Sequence, residues 1–103
     1  MHKFSNELTE AQVERLAILS EELGEAQQCI GKILRHGYES YNPVVGTGLT
    51  NRRELERELG DVVFAARLLG EANDVSESGI AERMKSKRQS IKRWLHHQPH
   101  SNE

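Results

Sequence analysis

The sequence predicts an all-α fold: an antiparallel helical bundle with three main helices per chain, completed by oligomerisation. Apolar side chains recur at helical spacing in three long segments, loop-forming glycine and proline separate the first two, and no segment shows the alternation of a strand. A chain of 103 residues forms one domain and buries only a modest core alone. Contact with further copies of the chain is therefore expected.

The first helix is predicted to begin at Thr9 and to run to about Arg35. Thr9 can cap the helix while Gln12, three residues later, returns the capping-box contact. Gly37 follows the last apolar positions and is expected to end the helix.

A loop over residues 37–51 follows, because this segment holds Pro43 and three glycines. Its length is unusual for a connector in a compact helical domain and indicates a functional loop. The second helix is predicted to open at Asn51, with Glu54 in capping-box position, and to reach about Ala72.

A break at Asn73 and Asp74 precedes the third helix, which is predicted from Ser76 or Ser78 to Leu95. We assign residues 1–95 to a single domain and residues 96–103 to a polar, flexible tail.

Composition excludes several classes of protein. Hydrophobic residues make up 36% of the chain and charged residues 29%, which is typical of a globular protein. No apolar run approaches the roughly 18 residues of a spanning helix, and the N-terminus lacks the apolar core of a signal peptide. We therefore expect a cytoplasmic protein that is not associated with a membrane. The single cysteine, Cys29, excludes an internal disulfide and a thiolate zinc cluster.

Acidic side chains fall on helix faces that should be buried. On a helical wheel, Glu22 lies inside the apolar arc of helix one, Glu25 lies at its edge, and Glu21 lies further toward solvent. Helix two places Glu58 and Asp61 among its apolar side chains. The arcs consist of Leu16, Ile18, Leu19, Leu23, Ala26, Cys29, Ile30 and Ile33 on helix one, and of Leu55, Val62, Ala65, Ala66, Leu68 and Leu69 on helix two.

Inward-facing carboxylates are costly, because they lose hydration and repel one another. A divalent cation offsets both effects, and oxygen-only ligands suit Mg²⁺, for which Mn²⁺ can substitute. Acids at positions i and i+3 on two antiparallel helices can reach one cation cluster. The alternative is a solvated, salt-bridged face, which is the usual role of a single such acidic pair.

The third helix carries basic residues on and beside its apolar face. Lys87 lies inside that face and Arg83 borders it. Lys87 can simply extend its amine to water, or both side chains can reach an anionic ligand that is bridged to the metals. The face consists of Ile80, Met84, Ile91, Trp94 and Leu95.

The spacing of the acids resembles that of a known family. Glu21-Glu22-x-x-Glu25, followed by Glu58-x-x-Asp61, resembles the EExxE and ExxD signature of the MazG-like all-α nucleoside triphosphate pyrophosphohydrolases. LSEELGEAQQ and RELERELGDVVFAARLL look like the two metal-binding helices of that family. IAERMKSKR resembles its following helix, in which a basic residue before a methionine and a polar residue four positions later commonly contact phosphate. The resemblance covers about residues 9–90.

This resemblance implies Mg²⁺-dependent hydrolysis of a nucleoside or deoxynucleoside triphosphate to the monophosphate and pyrophosphate, by attack of a metal-activated water on the α-phosphorus. It implies that the protein assembles as a homodimer or homotetramer. Arg83 and Lys87 would contact phosphate, although the family more often has lysine and asparagine there. The implied metal ligands are Glu22, Glu25, Glu58 and Asp61, with Glu21 as a further catalytic residue that supports the ligands or orients the water.

The preferred base is not specified by the sequence. His36 and Tyr38 are candidates for contacting it, as are Tyr41 and Asn42, although packing is the commoner role of aromatic loop residues.

Two other classes of function remain open. A helical oligomerisation or interaction module would explain the amphipathic faces but not the inward-facing acids. A nucleic-acid binder would explain residues 83–93, RMKSKRQSIKR, which carry six bases and no acid. However, the net charge of -2 and the acidic helices argue against an extended nucleic-acid footprint.

Overall fold

The computed structural model describes residues 5–44 and 46–99, and within these ranges every regular element is helical. Helix α1 spans Glu10–His36, α2 spans Asn51–Glu71 and α3 spans Glu77–Ser90, followed by a 3₁₀ turn over Ile91–Trp94. The predicted all-α class is therefore confirmed. Residues 100–103 of the predicted tail lie outside the described residues.

Helix α1 has the predicted termini. The Gln12 N–H donates to the Thr9 hydroxyl at 3.1 Å, and the Thr9 N–H donates to the Gln12 side chain at 2.8 Å, so the capping box is complete. Gly37 ends the helix with φ of 88°, a conformation that glycine adopts without strain.

The cap of α2 differs from the predicted one. Thr50, not Asn51, is the N-cap, and its hydroxyl accepts the Arg53 N–H at 3.2 Å. The predicted capping box with Glu54 is wrong, because a helix capped at Thr50 has Arg53 at its third position. The Glu54 carboxylate instead accepts a hydrogen bond from the Thr47 hydroxyl at 2.9 Å.

A tight turn joins α2 to α3. Asn73 adopts a left-handed conformation with φ of 61°, and the N–H groups of Asn73 and Asp74 donate to the carbonyls of Gly70 and Leu69. Ser76 then caps α3 by accepting the Gly79 N–H at 3.0 Å. These contacts confirm the predicted break between the helices.

Helices α1 and α2 form an antiparallel hairpin. Arg15, near the start of α1, pairs with Asp74, just beyond the end of α2, through Nε–Oδ2 and Nη2–Oδ1 contacts of 2.6 and 3.1 Å. At the opposite end, the Asn51 side chain donates to the Gly37 carbonyl at 3.1 Å. Both ends of the hairpin are thus held by polar contacts. The buried apolar residues between them are Ala26, Cys29, Ala65 and Leu69.

Helix α3 does not pack along the hairpin within one chain. Its predicted apolar face is largely open to solvent, with Met84 67% and Trp94 71% exposed. Three residues of the predicted α1 core, Leu16, Leu23 and Ile30, are also exposed. The radius of gyration is 18.1 Å, whereas a compact domain of this length has about 13 Å. A single chain therefore leaves the predicted bundle open.

No helix in the described part of the chain is long and apolar enough to cross a membrane.

Replacing Leu69 tests the hairpin core. Leu69 is 4% exposed, so Leu69→Ala should lower the free energy of unfolding by about 2 to 5 kcal/mol through lost burial and a residual cavity. Val44, 87% exposed in the loop, provides the control, and Val44→Ala should change stability by less than about 0.5 kcal/mol. Urea unfolding followed by circular dichroism measures both, and equal effects of the two substitutions would contradict the described core.

Candidate metal centre and adjoining cleft

The antiparallel hairpin brings together acids from α1 and α2. Glu22 and the pair Glu58 and Asp61 lie at the same level of the hairpin, and one carboxylate oxygen from each lies within 4.8 Å of the others. Glu22 and Glu58 are 36 residues apart in the sequence. The fold thus brings the two acidic motifs into one cluster.

Two oxygens of this cluster are buried without a hydrogen-bond donor. They are the Oε2 atoms of Glu22 and Glu58, and neither has a partner within the described structure. Burial raises the pKa of Glu22, and the neighbouring charges of Glu25 and Asp61 raise it further. Burial also raises the pKa of Glu58. Desolvation and mutual repulsion therefore both disfavour the ionised form of these carboxyls.

Glu25 neighbours the cluster without belonging to the three acids that lie within 4.8 Å of one another. After burial, its proximity is the next cause that raises the pKa of Glu58. Two carboxylates can only accept hydrogen bonds, so the contact is attractive when a proton or a cation lies between them.

The burial of the acids agrees with the helical wheel at all positions but one. Glu22, Glu25 and Glu58 are half-buried and Glu21 is exposed, as predicted. Asp61 was expected to face inward but is exposed, because it lies at the edge of a two-helix layer that no third helix covers. Its carboxylate nevertheless reaches Glu22.

Chemically, this arrangement could hold a hard divalent cation. All the candidate ligand atoms are carboxylate oxygens, which suit Mg²⁺ and Mn²⁺. A cation would also satisfy the two buried oxygens that accept no hydrogen bond.

Cys29 adjoins the cluster but is not a reactive thiol. It is buried, and its burial, followed by the charges of Glu54 and Glu58, raises the pKa of the thiol. A thiol with a raised pKa stays protonated at neutral pH and is a poor nucleophile.

A cleft of about 450 Å³ lies at the loop end of the hairpin, next to the acidic cluster. Glu54, on its α2 wall, lies one helical turn before Glu58, and Lys32, on its α1 wall, lies seven residues after Glu25. The cleft is lined by Lys32, Arg35, His36, Ser40, Tyr41, Asn42, Pro43, Gly46, Thr47, Gly48, Leu49, Asn51 and Glu54.

The candidates for contacting a base have different positions. His36 lines the cleft. Tyr38 does not, because its ring lies under the Arg52 guanidinium, 4.4 Å from the ring centroid, and Arg52 also pairs with Glu39 at 2.6 Å. Tyr38 therefore packs against Arg52, whereas Tyr41 and Asn42 line the cleft.

The candidate phosphate contacts, Arg83 and Lys87, are not brought to the cluster by their own chain. Both lie on α3, which does not pack on the hairpin, and neither forms an ion pair within the described residues. They line an open groove along α3, together with Met84 and further basic side chains. Their contact with phosphate stays a prediction.

Sequence reasoning overlooked three residues of the cleft, Lys32, Thr47 and Glu54. Glu54 lies four residues before Glu58, and Lys32 lies seven residues after Glu25. These are the spacings of one helix face, so extending each acidic stripe toward the loop would have identified Glu54 and Lys32. Thr47 carries no such signal, because its position depends on the path of the loop.

Comparisons with protein-family models, curated proteins and solved structures gave no match to this chain. The family resemblance thus rests on the quoted motifs.

The raised pKa values predict an unusual pH dependence of stability. Because the carboxyls of Glu22 and Glu58 have pKa values above the ordinary 4.5, the folded chain takes up protons before the unfolded chain as the pH falls. Without divalent cations, the contribution of these groups to stability should therefore rise as the pH falls from neutral toward about 4.5. Thermal unfolding at a series of pH values, in chelator-treated buffer, measures this pH dependence of stability.

Glu58→Gln should stabilise the cation-free chain at neutral pH and flatten this dependence. Glu56→Gln is the matched control, since Glu56 is exposed on the same helix. If Glu58→Gln instead destabilised the chain at neutral pH as strongly as near pH 4.5, repulsion would not be the dominant effect.

Proposed function

We propose that this chain is a Mg²⁺-dependent nucleotide pyrophosphohydrolase that converts a nucleoside or deoxynucleoside triphosphate to the monophosphate and pyrophosphate. The observation that supports it is the convergence of three acids from two helices, Glu22, Glu58 and Asp61, within 4.8 Å of one another, where Glu22 and Glu58 each have one buried oxygen that accepts no hydrogen bond. An interaction module has no need of this arrangement. A metal-dependent phosphoryl-transfer enzyme does, because its substrate and its transition state are both strongly anionic.

In this proposal, Glu22, Glu25, Glu58 and Asp61 hold the cation or cations. When bound, Mg²⁺ would offset phosphate charge and lower the pKa of a bound water. Glu21, which is exposed beside Glu22, would support the ligands or orient that water. The water oxygen would bond to the α-phosphorus and the water would lose a proton to solvent, while the bond from the α-phosphorus to the bridging oxygen breaks and pyrophosphate leaves with that oxygen.

No side-chain nucleophile takes part. Direct attack by water forms no covalent intermediate with the enzyme, so no nucleophilic side chain is needed. The buried Cys29 thiol, whose pKa is raised, agrees with this because it is a poor nucleophile.

A nucleotide panel tests the enzyme. Incubated with Mg²⁺ and each common NTP and dNTP, the protein should release monophosphate and pyrophosphate, resolved by ion-exchange chromatography. Glu58→Gln should lower kcat/KM by more than about 100-fold, since loss of a group that only supports a metal ligand already costs 10- to 100-fold. Glu56→Gln should leave kcat/KM within about twofold of the wild type, because surface substitutions have small effects.

Mn²⁺ titration followed by electron paramagnetic resonance gives an independent readout of the same variants. No turnover of any nucleotide, together with equal Mn²⁺ affinity of the wild type and Glu58→Gln, would refute the proposal. Salt-dependent binding of random-sequence DNA without turnover would instead support a nucleic-acid role for residues 83–93.

We further propose that a second copy of the chain covers α3 and the open side of the hairpin. The accessible surface is 9115 Å², whereas a compact monomer of 11.7 kDa exposes about 5,900 Å². The difference is about 3,200 Å² for one chain, or about 6,400 Å² for two chains together, which reaches the upper end of obligate interfaces at about 5,000 Å² or more in total. The charges are also complementary, because the groove along α3 is basic and the hairpin cluster is acidic. Such an assembly could bring Arg83 and Lys87 of one copy to the phosphates bound by another.

Light scattering after size exclusion tests the assembly. The wild type should have a mass that is a multiple of the 11.7 kDa chain, as a homodimer or homotetramer. Met84→Glu should shift it toward the single chain, because a charge would enter an apolar interface. Val44→Glu, on the exposed loop, is the control and should leave the mass unchanged. A fully active single chain at assay concentration would contradict the assembly.

A further inference from the structure

Glu54 has a position that neither helix capping nor the acidic cluster explains. It is half-buried on α2, lines the cleft, and accepts a hydrogen bond from the Thr47 hydroxyl at 2.9 Å. It does not belong to the group of acids within 4.8 Å of one another. A carboxylate has about four acceptor sites, so one hydroxyl leaves most of its acceptor capacity available to a ligand in the cleft.

The chemical groups along the hairpin follow a fixed order. The acidic cluster is followed by Glu54, about 6 Å further along the α2 axis from Glu58, and then by the loop side of the cleft. On the opposite wall, Lys32 lies about 10 Å along the α1 axis from Glu25. The loop side adds Tyr41, Pro43 and Leu49, which offer apolar and aromatic surface.

A nucleotide has the same order of groups. Its phosphates need cations, its sugar carries hydroxyl donors, and its base is flat, apolar on its faces and polar at its edges. With the phosphates at the acidic cluster, the sugar falls at the level of Glu54 and the base falls against the loop.

We propose that the cleft holds the nucleoside end of the substrate, and that Glu54 recognises the sugar by accepting hydrogen bonds from its hydroxyls. This inference rests on the proposed nucleotide hydrolysis and extends it to the substrate class. The substrates are nucleotides with free sugar hydroxyls, and Glu54 is a specificity-determining residue that does not contact the metal. Thr47 positions the Glu54 carboxylate through their hydrogen bond.

The test compares three triphosphates of one base: the ribonucleotide, the 2′-deoxynucleotide and the 2′,3′-dideoxynucleotide. For the wild type, removing the last hydroxyl should lower kcat/KM about 10- to 100-fold, because a hydrogen bond to a charged acceptor is lost. Most of the change should be in KM, since the sugar is not a reacting group. In Glu54→Ala the deoxy and dideoxy substrates should differ by less than about threefold.

Two variants serve as controls. Glu56→Ala removes an exposed carboxylate from the same helix, outside the cleft, and should keep the wild-type discrimination. Glu54→Ala should bind Mn²⁺ as the wild type does, which separates sugar recognition from metal binding. A dideoxy substrate used as well as the deoxy substrate by the wild type, or discrimination unchanged in Glu54→Ala, would overturn the inference while leaving hydrolysis established.

A binding measurement separates this inference from the enzyme proposal. With Mg²⁺ present, a nucleoside 5′-monophosphate should shift the NMR amide signals of Gly46 and Gly48, and its 2′,3′-dideoxy form should bind about 10- to 100-fold more weakly. This result in a chain without turnover would support sugar recognition and refute only hydrolysis. If inorganic pyrophosphate shifted these signals and the monophosphate did not, the cleft would be a phosphate site and the inference would be wrong.

Discussion

The antiparallel register of α1 against α2 is the constraint on which the rest of the structure depends. The Arg15–Asp74 pair holds one end, and the contact of Asn51 with Gly37 holds the other. A shift of one helix by a single residue would rotate its acids by about 100° away from those of its partner. The polar contacts at the ends of the hairpin therefore determine whether Glu22 and Glu58 share one cluster.

That register places like charges in contact, at a cost to stability. The small buried side chains Ala26 and Ala65 let the helices approach closely, and this approach brings the carboxylates together and buries two of their oxygens. Packing alone gains nothing from acids at these positions. Uncompensated polar groups of this kind are typical of sites that bind something, since natural proteins depart from local consistency mainly where function requires it.

Local signals in the sequence were sufficient for the helices and for most of the cluster. The capping box of Thr9 and Gln12 and the turn at Asn73 depend on neighbours a few residues away, so they were predictable, as was the burial of Glu22. The Thr50 cap was missed because two good capping residues are adjacent. The exposure of Asp61 and the separation of α3 depend on which elements cover which faces, and periodicity alone carries no information about that.

The position of α3 links assembly to chemistry. Within the hairpin, the acids of the cluster have no ion-pair partner among the described residues, and the cations of the cleft wall lie toward the loop. Within one chain, no other helix covers the basic groove of α3, and α3 does not cover the acidic cluster of the hairpin. Among the described residues, α3 does not pack along the hairpin, so in the proposed assembly a second copy would bring basic side chains to the side of the cluster away from the cleft. In the proposed orientation of the nucleotide, that side is where the leaving pyrophosphate lies, so basic side chains of a second copy would offset the negative charge that develops on it.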